Sequence, residues 1–505
     1  MSITASLAPL RGQSGERLTP GLDDASLEHF ADDERLRQAV ADAVAAQARL
    51  AEEMPELLDL DEADQVKRVQ GGYVNFYPEG AVNPYVALAA RGPWIVTLKG
   101  GVIFDSGGYG MLGLGHAPQD VLDTMAQPHV MANIMTPSVA QLRFEQVMAR
   151  EVGHTRGGSP YSHLMCLNSG SEAVGLAARI VDTHTKTMTD PGARHAGATV
   201  KRLIVSGSFH GRTDRPALFS DSTRETYEKH LASYRDEDSV ITVEPYDENA
   251  LREVFARAER EGWFIEAMFL EPVMGEGDPG RAVPPSFYAL ARELTLAHDS
   301  LLLVDSIQAG IRATGTLSVV DYPGFESLPA PDMESWSKAI NAGQYPLSVL
   351  GVTQRAAEIY ATGTYGNTMT ANPRALEVAC VVLDRLTDEA RRAIRERGED
   401  ALRLLRELQQ ELPDRVTAVQ GCGLLFSCEL SGDYAVLGPG STEEWLRRHG
   451  LGVIHGGENS LRFTPPFDVT RQQLQLIVEL VRRALLEGPH TRGAARTQAH
   501  EVVDA

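Results

Sequence analysis

Short stretches of this chain place chemically capable residues where apolar runs end. In "LLLVDSIQAG", residues 301–310, four apolar residues lead into Asp305, with Gln308 three residues further on. A buried carboxylate is costly unless it is paired, so Asp305 calls for a cation. In "DMESWSKAINAG", Lys338 follows another run of strand type. Burial disfavours a lysine's charge, and the neutral amine is a nucleophile able to form a Schiff base with a carbonyl. "LMCLNSGSEAVGLAARI" passes from strand to helix through Gly170 and Ser171. The N–H groups and dipole of a helix N-terminus attract an anion, and glycine lets a phosphate approach the backbone. An ordinary N-cap explains the same letters. "VSGSFHGRTDRPA" supplies Phe209, suited to stacking on a flat ring, and Arg212, suited to gripping a carboxylate.

Together these stretches describe one ligand. It has a phosphate for the turn at Gly170 and Ser171, a flat ring for Phe209, a basic ring nitrogen for Asp305 and an aldehyde for Lys338. That ligand is pyridoxal 5'-phosphate. The cation that Asp305 calls for is then the protonated ring nitrogen, which draws electrons from a substrate carbanion.

These residues need a frame. Between about residues 105 and 350, strand candidates "HLMCLN", "RLIVSG", "EAMFLEP", "LLLVD" and "DMESWS" alternate with helical patterns such as "PSFYALARELTLAHD". That alternation predicts an α/β fold with a mainly parallel central sheet covered on both faces, its ligand at the carboxyl ends of the strands. Residues 105–375 are expected to form this large domain. Residues 1–25 show no period and read as an N-terminal arm or a disordered segment. Residues 26–104 read as a helical extension and part of a small domain. Leu36, Val40, Val44 and Leu50 lie near one helix face, and "PWIVTLKGGVIFDSG" reads as two short strands. A long helical stretch from Pro373 leads into the C-terminal small domain, residues 376–488, with a strand pair in "VTAVQGCGLLFSCEL". Residues 489–505 read as a flexible tail.

Composition narrows the partners. The 505-residue chain carries a formal net charge of -22, which argues against nucleic acid or an anionic membrane. Cys166, Cys380, Cys422 and Cys428 form no CxxC pattern and are expected as buried thiols in a reducing compartment. No metal site is expected. "MSITASLAPLRGQSGERL" has no apolar core of a leader, and no stretch approaches the roughly 20 apolar residues of a membrane span. A cytoplasmic protein is expected.

In order along the chain, "NSGSEAV", "FHGRT", "EPVMGEG", "VDSIQAG", "SKA" and "LRFTPP" resemble the signatures of class III aminotransferases, the ornithine, acetylornithine and 4-aminobutyrate type, over about residues 90–470. The resemblance implies fold type I, with a large domain and a smaller α+β domain built from both chain ends. It implies that Gly170 and Ser171 bind the phosphate, Phe209 stacks on the ring, Asp305 pairs with its nitrogen and Gln308 meets its hydroxyl. Lys338 holds the cofactor and shuttles the proton. Thr368 corresponds to a threonine that reaches the phosphate of a neighbouring subunit, which implies a homodimer with shared sites; Thr370 is the second choice. Arg212 corresponds to an arginine for the donor's carboxylate. Glu276 and Arg462 correspond to a switch pair, in which the glutamate covers the arginine until an oxo acid arrives. The implied reaction moves an amino group from an amine or ω-amino acid to a 2-oxo acid, with 2-oxoglutarate expected. The alternative on the same scaffold is an amino-acid racemase, an epimerase or an aminomutase. The chain departs from the family pattern at Ser306, where Glu is usual, at Ala309, where Thr is usual, and at Arg215, expected near the pocket mouth.

Overall fold

The structure is a computed structural model and describes residues 2–235 and 239–490. The expected tail falls, beyond His490, outside the described residues. The chain forms two compact units. One comprises residues 2–122, 396–420 and 424–490 of those described, and the other residues 123–395 with 421–423. The divisions thus fall at 122/123 and 395/396, where the sequence reading placed them at 104/105 and 375/376.

The second unit holds a seven-stranded sheet. Its strands lie in the order His163–Leu167, Ser348–Val352, Met333–Trp336, Leu301–Asp305, Trp263–Leu270, Thr199–Val205, Val240–Val243. Only Ser348–Val352 runs against the others. The central strands are buried on both faces, which is why they read as continuous apolar runs rather than alternating ones. Helix Gly170–Thr189 packs on this sheet. Its Val174, Ala177 and Val181 recur at helical spacing and meet Phe269, Leu303 and Leu350 in one core. In the register of the sheet, Asp305 stands opposite Ser335.

The long helical stretch from Pro373 is two helices, Pro373–Asp384 and Asp388–Glu411. Thr387 marks the restart, its Oγ1 accepting from the N–H of Ala390; a threonine there favours a helix start over a helix interior.

The first unit contains two four-stranded sheets. One includes the expected pair Trp94–Thr97 and Val102–Asp105, antiparallel to each other. The other places Ser460–Phe463 between Leu425–Leu430 and Ile454–Gly456. Helix Glu34–Glu53 buries Leu36 and Val40 together with Ala39 and Ala43, and Val44 and Leu50 are only half-buried. Residues 2–25, in the stretch expected as an arm or a disordered segment, are built in. Helix Ile3–Arg11 is capped by Ser2 and buries Ile3, Leu7 and Leu10. Pro9 inside this short helix masked the pattern. The aperiodic stretch that follows is pinned by Glu62, whose Oε2 accepts from the N–H groups of Leu18 (2.7 Å) and Thr19 (2.6 Å).

Candidate active site

Asp305 ends the wholly buried strand Leu301–Asp305. Its Oδ1 accepts from Ser335 Oγ (3.0 Å) and the N–H of Ile307 (3.2 Å). Its Oδ2 lies 2.9 Å from Nδ1 of His210, a residue the sequence reading passed over. The backbone N–H of His210 donates to Ser220 Oγ (2.9 Å), and its ring meets Phe269 edge-on with centroids 5.8 Å apart. The signal for His210 is its place between Phe209 and Arg212 in the loop after strand Thr199–Val205, two places from the Asp305 strand in the sheet.

Gly170 begins its helix behind a capping box. Ser169 Oγ accepts from the N–H of Glu172 (3.3 Å), and Glu172 Oε2 accepts from the N–H groups of Asn168 (2.8 Å) and Ser169 (3.2 Å). The cap and the anion site coexist, because a capping box leaves the first helical amides without an intrahelical acceptor. A β-carbon on Gly170 would stand 2.7 Å from Ile307 Cδ1, so the turn is pressed against the loop that follows Asp305. Gly211, at φ 112°, lies against Ser171 Oγ, where a β-carbon would come within 2.5 Å. The turn and the Phe209 loop therefore adjoin.

Lys338 opens the 3₁₀ turn Lys338–Asn341 just past strand Met333–Trp336. Its φ of 45° is left-handed, a strained choice for a residue with a side chain. Half-buried, it directs Nζ to Gln308 Oε1. Gln308 is itself buried, and its Nε2 has no hydrogen-bond partner among the described residues.

Phe209 carries the Arg212 guanidinium over its ring, 5.3 Å from the centroid. Arg212 Nη2 is 2.9 Å from Glu276 Oε1. The expected partner of Glu276 was Arg462. That residue is buried in strand Ser460–Phe463 of the first unit, while Glu276 is engaged by an arginine of its own unit. Arg215, expected at a pocket mouth, pairs instead with Asp182 of helix Gly170–Thr189 at 2.7 Å. Thr368 is exposed, and its carbonyl accepts from Asn133 Nδ2 (3.2 Å). Its neighbour Asn367 donates to Glu172 Oε1 (2.8 Å), so the Thr368 loop is tied to the start of the Gly170 helix. Thr370 is buried and donates to the carbonyl of Asn367 (3.0 Å).

A second acid lies close to this group. Glu271 follows strand Trp263–Leu270, and burial raises its carboxyl from near 4.5 to about 7. His210 opposes that shift, and the charge of Asp305 adds to it.

Residues 76–485 match the sequence family described as aminotransferase class-III. The chain belongs to the class III aminotransferase family. It is 28% identical over 418 residues to the acetylornithine aminotransferase of Neisseria meningitidis serogroup B, covering 81% of this chain and 96% of that protein. It is 30% identical over 351 residues to the ornithine aminotransferase of Emericella nidulans, covering 66% of this chain and 72% of that protein. The crystal structure of the ornithine aminotransferase from Toxoplasma gondii ME49 superposes with a TM-score of 0.71 at 23% identity, covering 86% of this chain and 98% of that one. The fold is that of these enzymes, fold type I. As a class III aminotransferase the chain is a pyridoxal 5'-phosphate enzyme that transfers an amino group from a donor to a 2-oxo acid; the racemase and mutase alternatives are not favoured. The residues present fit the cofactor. The idle amide of Gln308 is a donor beside the Lys338 amine, Asp305 is a buried acid, and the glycines at 170 and 211 let the helix start, the Phe209 loop and the loop after Asp305 close on one another.

Proposed function

We propose that residues 123–395 form the cofactor domain, and that an ω-amino acid of the ornithine or N-acetylornithine kind gives its terminal amino group to 2-oxoglutarate there. The observation that carries this reading is the Lys338 amine directed at Gln308, whose own amide is left idle, at the end of the strand next to Asp305. The relatives' names point to the donor class.

Pyridoxal 5'-phosphate, held through Lys338, would supply an aldehyde carbon and a ring able to accept electron density. Once the donor's amine has displaced it from the cofactor, the freed Lys338 Nζ would take the proton from the donor's reacting carbon and return it, acting as general base and acid. Asp305, held by His210 and Ser335, keeps a negative charge against the ring nitrogen. Gln308 donates to the ring hydroxyl, Phe209 stacks on the ring, and the amides at Gly170 and Ser171 take the phosphate. Arg212 receives the donor's carboxylate and Arg462 that of the oxo acid, with Glu276 as the internal carboxylate that competes for arginine.

The site is completed in a homodimer by Thr368 of a second copy. Val130, Met131, Ile134, Met135, Val139 and Met369 are each more than half exposed, an apolar surface suited to a subunit interface. Asn133 links that surface to the Thr368 carbonyl. A cytoplasmic location fits the free state of the four cysteines. Among the described residues no helix is long and apolar enough to cross a membrane.

A panel of ω-amino acids and simple amines with 2-oxoglutarate, scored for glutamate formed, tests the donor class. Glutamate from ω-amino acids but not from alkylamines is the expected pattern; the reverse pattern removes the ω-amino acid.

A further inference from the structure

We propose that Glu271 is a positioning residue for the cofactor, a clamp that sets the Phe209 ring and the wall behind Gln308 from a single carboxylate. The inference rests on the cofactor site described above. Glu271 is 4% exposed, and each of its oxygens accepts one backbone N–H. Oε2 takes the N–H of Phe209, and Oε1 takes that of Gly275, both at 2.9 Å. The first bond holds the loop after strand Thr199–Val205, and the second holds the loop after strand Trp263–Leu270.

Both loops bear on the cofactor groups. Gly275 lies flat against Gln308: a β-carbon there would be 2.4 Å from Gln308 Cγ. The loops also meet backbone to backbone, since a β-carbon on Gly277 would stand 2.1 Å from the Gly207 carbonyl oxygen. Glycine at these points lets the loops close, and Glu271 locks them. A shift of either loop moves the ring that stacks or the amide that donates.

The amide variant separates positioning from simple stability. In Glu271→Gln only one side-chain atom accepts, and the amide nitrogen faces an N–H donor, so one clamp must open. The measurement is a titration of full-length apoenzyme with pyridoxal 5'-phosphate, followed by the visible absorbance band and its position. Read above pH 7, where the Glu271 carboxyl is ionised, loss of a charge-assisted bond predicts cofactor affinity weaker by roughly 10- to 100-fold, with a displaced band. Asp321→Asn is the matched control. Asp321 is also buried and takes backbone N–H groups, those of Gly153 (2.6 Å) and Thr155 (2.9 Å). It should lower the melting temperature without changing cofactor affinity or the band. If Glu271→Gln cannot be recovered folded, Glu271→Asp takes its place: it keeps both acceptors but falls one methylene short, and weaker cofactor binding is again expected. Equal affinity and an unmoved band in the variant, whatever its melting temperature, would overturn the clamp alone. Failure of the wild-type chain to bind pyridoxal 5'-phosphate would overturn the cofactor site and the clamp with it.

Discussion

Nδ1 of His210 lies 2.9 Å from Oδ2 of Asp305, and both side chains are sealed from solvent. With Ser335 and Ile307 on the other oxygen, the carboxylate is held from two sides in one orientation. An acid so fixed can support a charged ring nitrogen without reorganising.

Asp305→Asn keeps the shape and removes the charge. The ring nitrogen should then lose its proton at neutral pH. Each unit of pKa is worth about 1.4 kcal/mol, so turnover should fall by roughly 100-fold or more. Single-turnover absorbance measurements with an amino donor check this; an unchanged rate would mean that another group supports the ring.

Lys338→Ala should still bind pyridoxal 5'-phosphate through the phosphate, stacking and ring-nitrogen contacts. Turnover should drop by several orders of magnitude, because the nucleophile and the general base vanish together. Equilibrium binding measured beside steady-state kinetics separates the two effects, and near-normal turnover would show the lysine to be misassigned.

Glu276→Gln should release Arg212. The pair is partly exposed, at 41% and 31%, so melting should shift little; exposed pairs contribute about 0–1 kcal/mol. KM for a carboxylate-bearing donor should fall, while KM for an alkylamine should not move. If the oxo-acid half-reaction improves instead, Glu276 serves Arg462, as the family resemblance implies.

Arg462→Ala should weaken the oxo-acid half-reaction far more than the donor half-reaction. Removing one partner of a buried Arg–carboxylate contact costs about 2–5 kcal/mol, or roughly 30-fold and upward in turnover. Equal losses in both half-reactions would make Arg462 a structural residue of its sheet.

The Glu271 carboxyl gives the apoenzyme a pH signature. Its folded value, about 7, lies above the usual 4.5 because of burial, with Asp305 adding and His210 opposing; its charge also bears on Tyr246 nearby. The folded state therefore binds more protons between these values. The associated stability is fully present below pH 4.5 and is lost as pH rises through 7, a change of about 3 kcal/mol. Denaturant unfolding of the apoenzyme across this range should show the decline, and Glu271→Gln should flatten it.

Much of this arrangement was legible before the fold. Leu301–Asp305 announces itself because a strand covered on both faces must be apolar throughout, so a terminal aspartate stands out. Lys338, Gly170 and Phe209 were visible for the same reason, as breaks at strand ends. His210 and Glu271 were harder to see. His210 follows strand Thr199–Val205, two places from Leu301–Asp305 in the sheet, and Glu271 acts through the Phe209 and Gly275 amides it holds, so neither role shows in its own segment. The Arg212–Glu276 and Arg215–Asp182 pairs depend on side-chain reach across loops, which no spacing encodes. Helix Ile3–Arg11 was hidden because tertiary burial, not a long periodic pattern, sustains it around Pro9.

Transfer of an amino group through Lys338 is open to direct test. The most direct measurement incubates the purified chain with pyridoxal 5'-phosphate, one pure enantiomer of an ω-amino acid and 2-oxoglutarate, and follows glutamate and donor configuration together. Glutamate matching the donor consumed is expected, with no inversion of the donor when the oxo acid is omitted and neither product nor inversion with Lys338→Ala. Inversion or rearrangement of the donor without any oxo acid, and no glutamate when it is supplied, would contradict transfer.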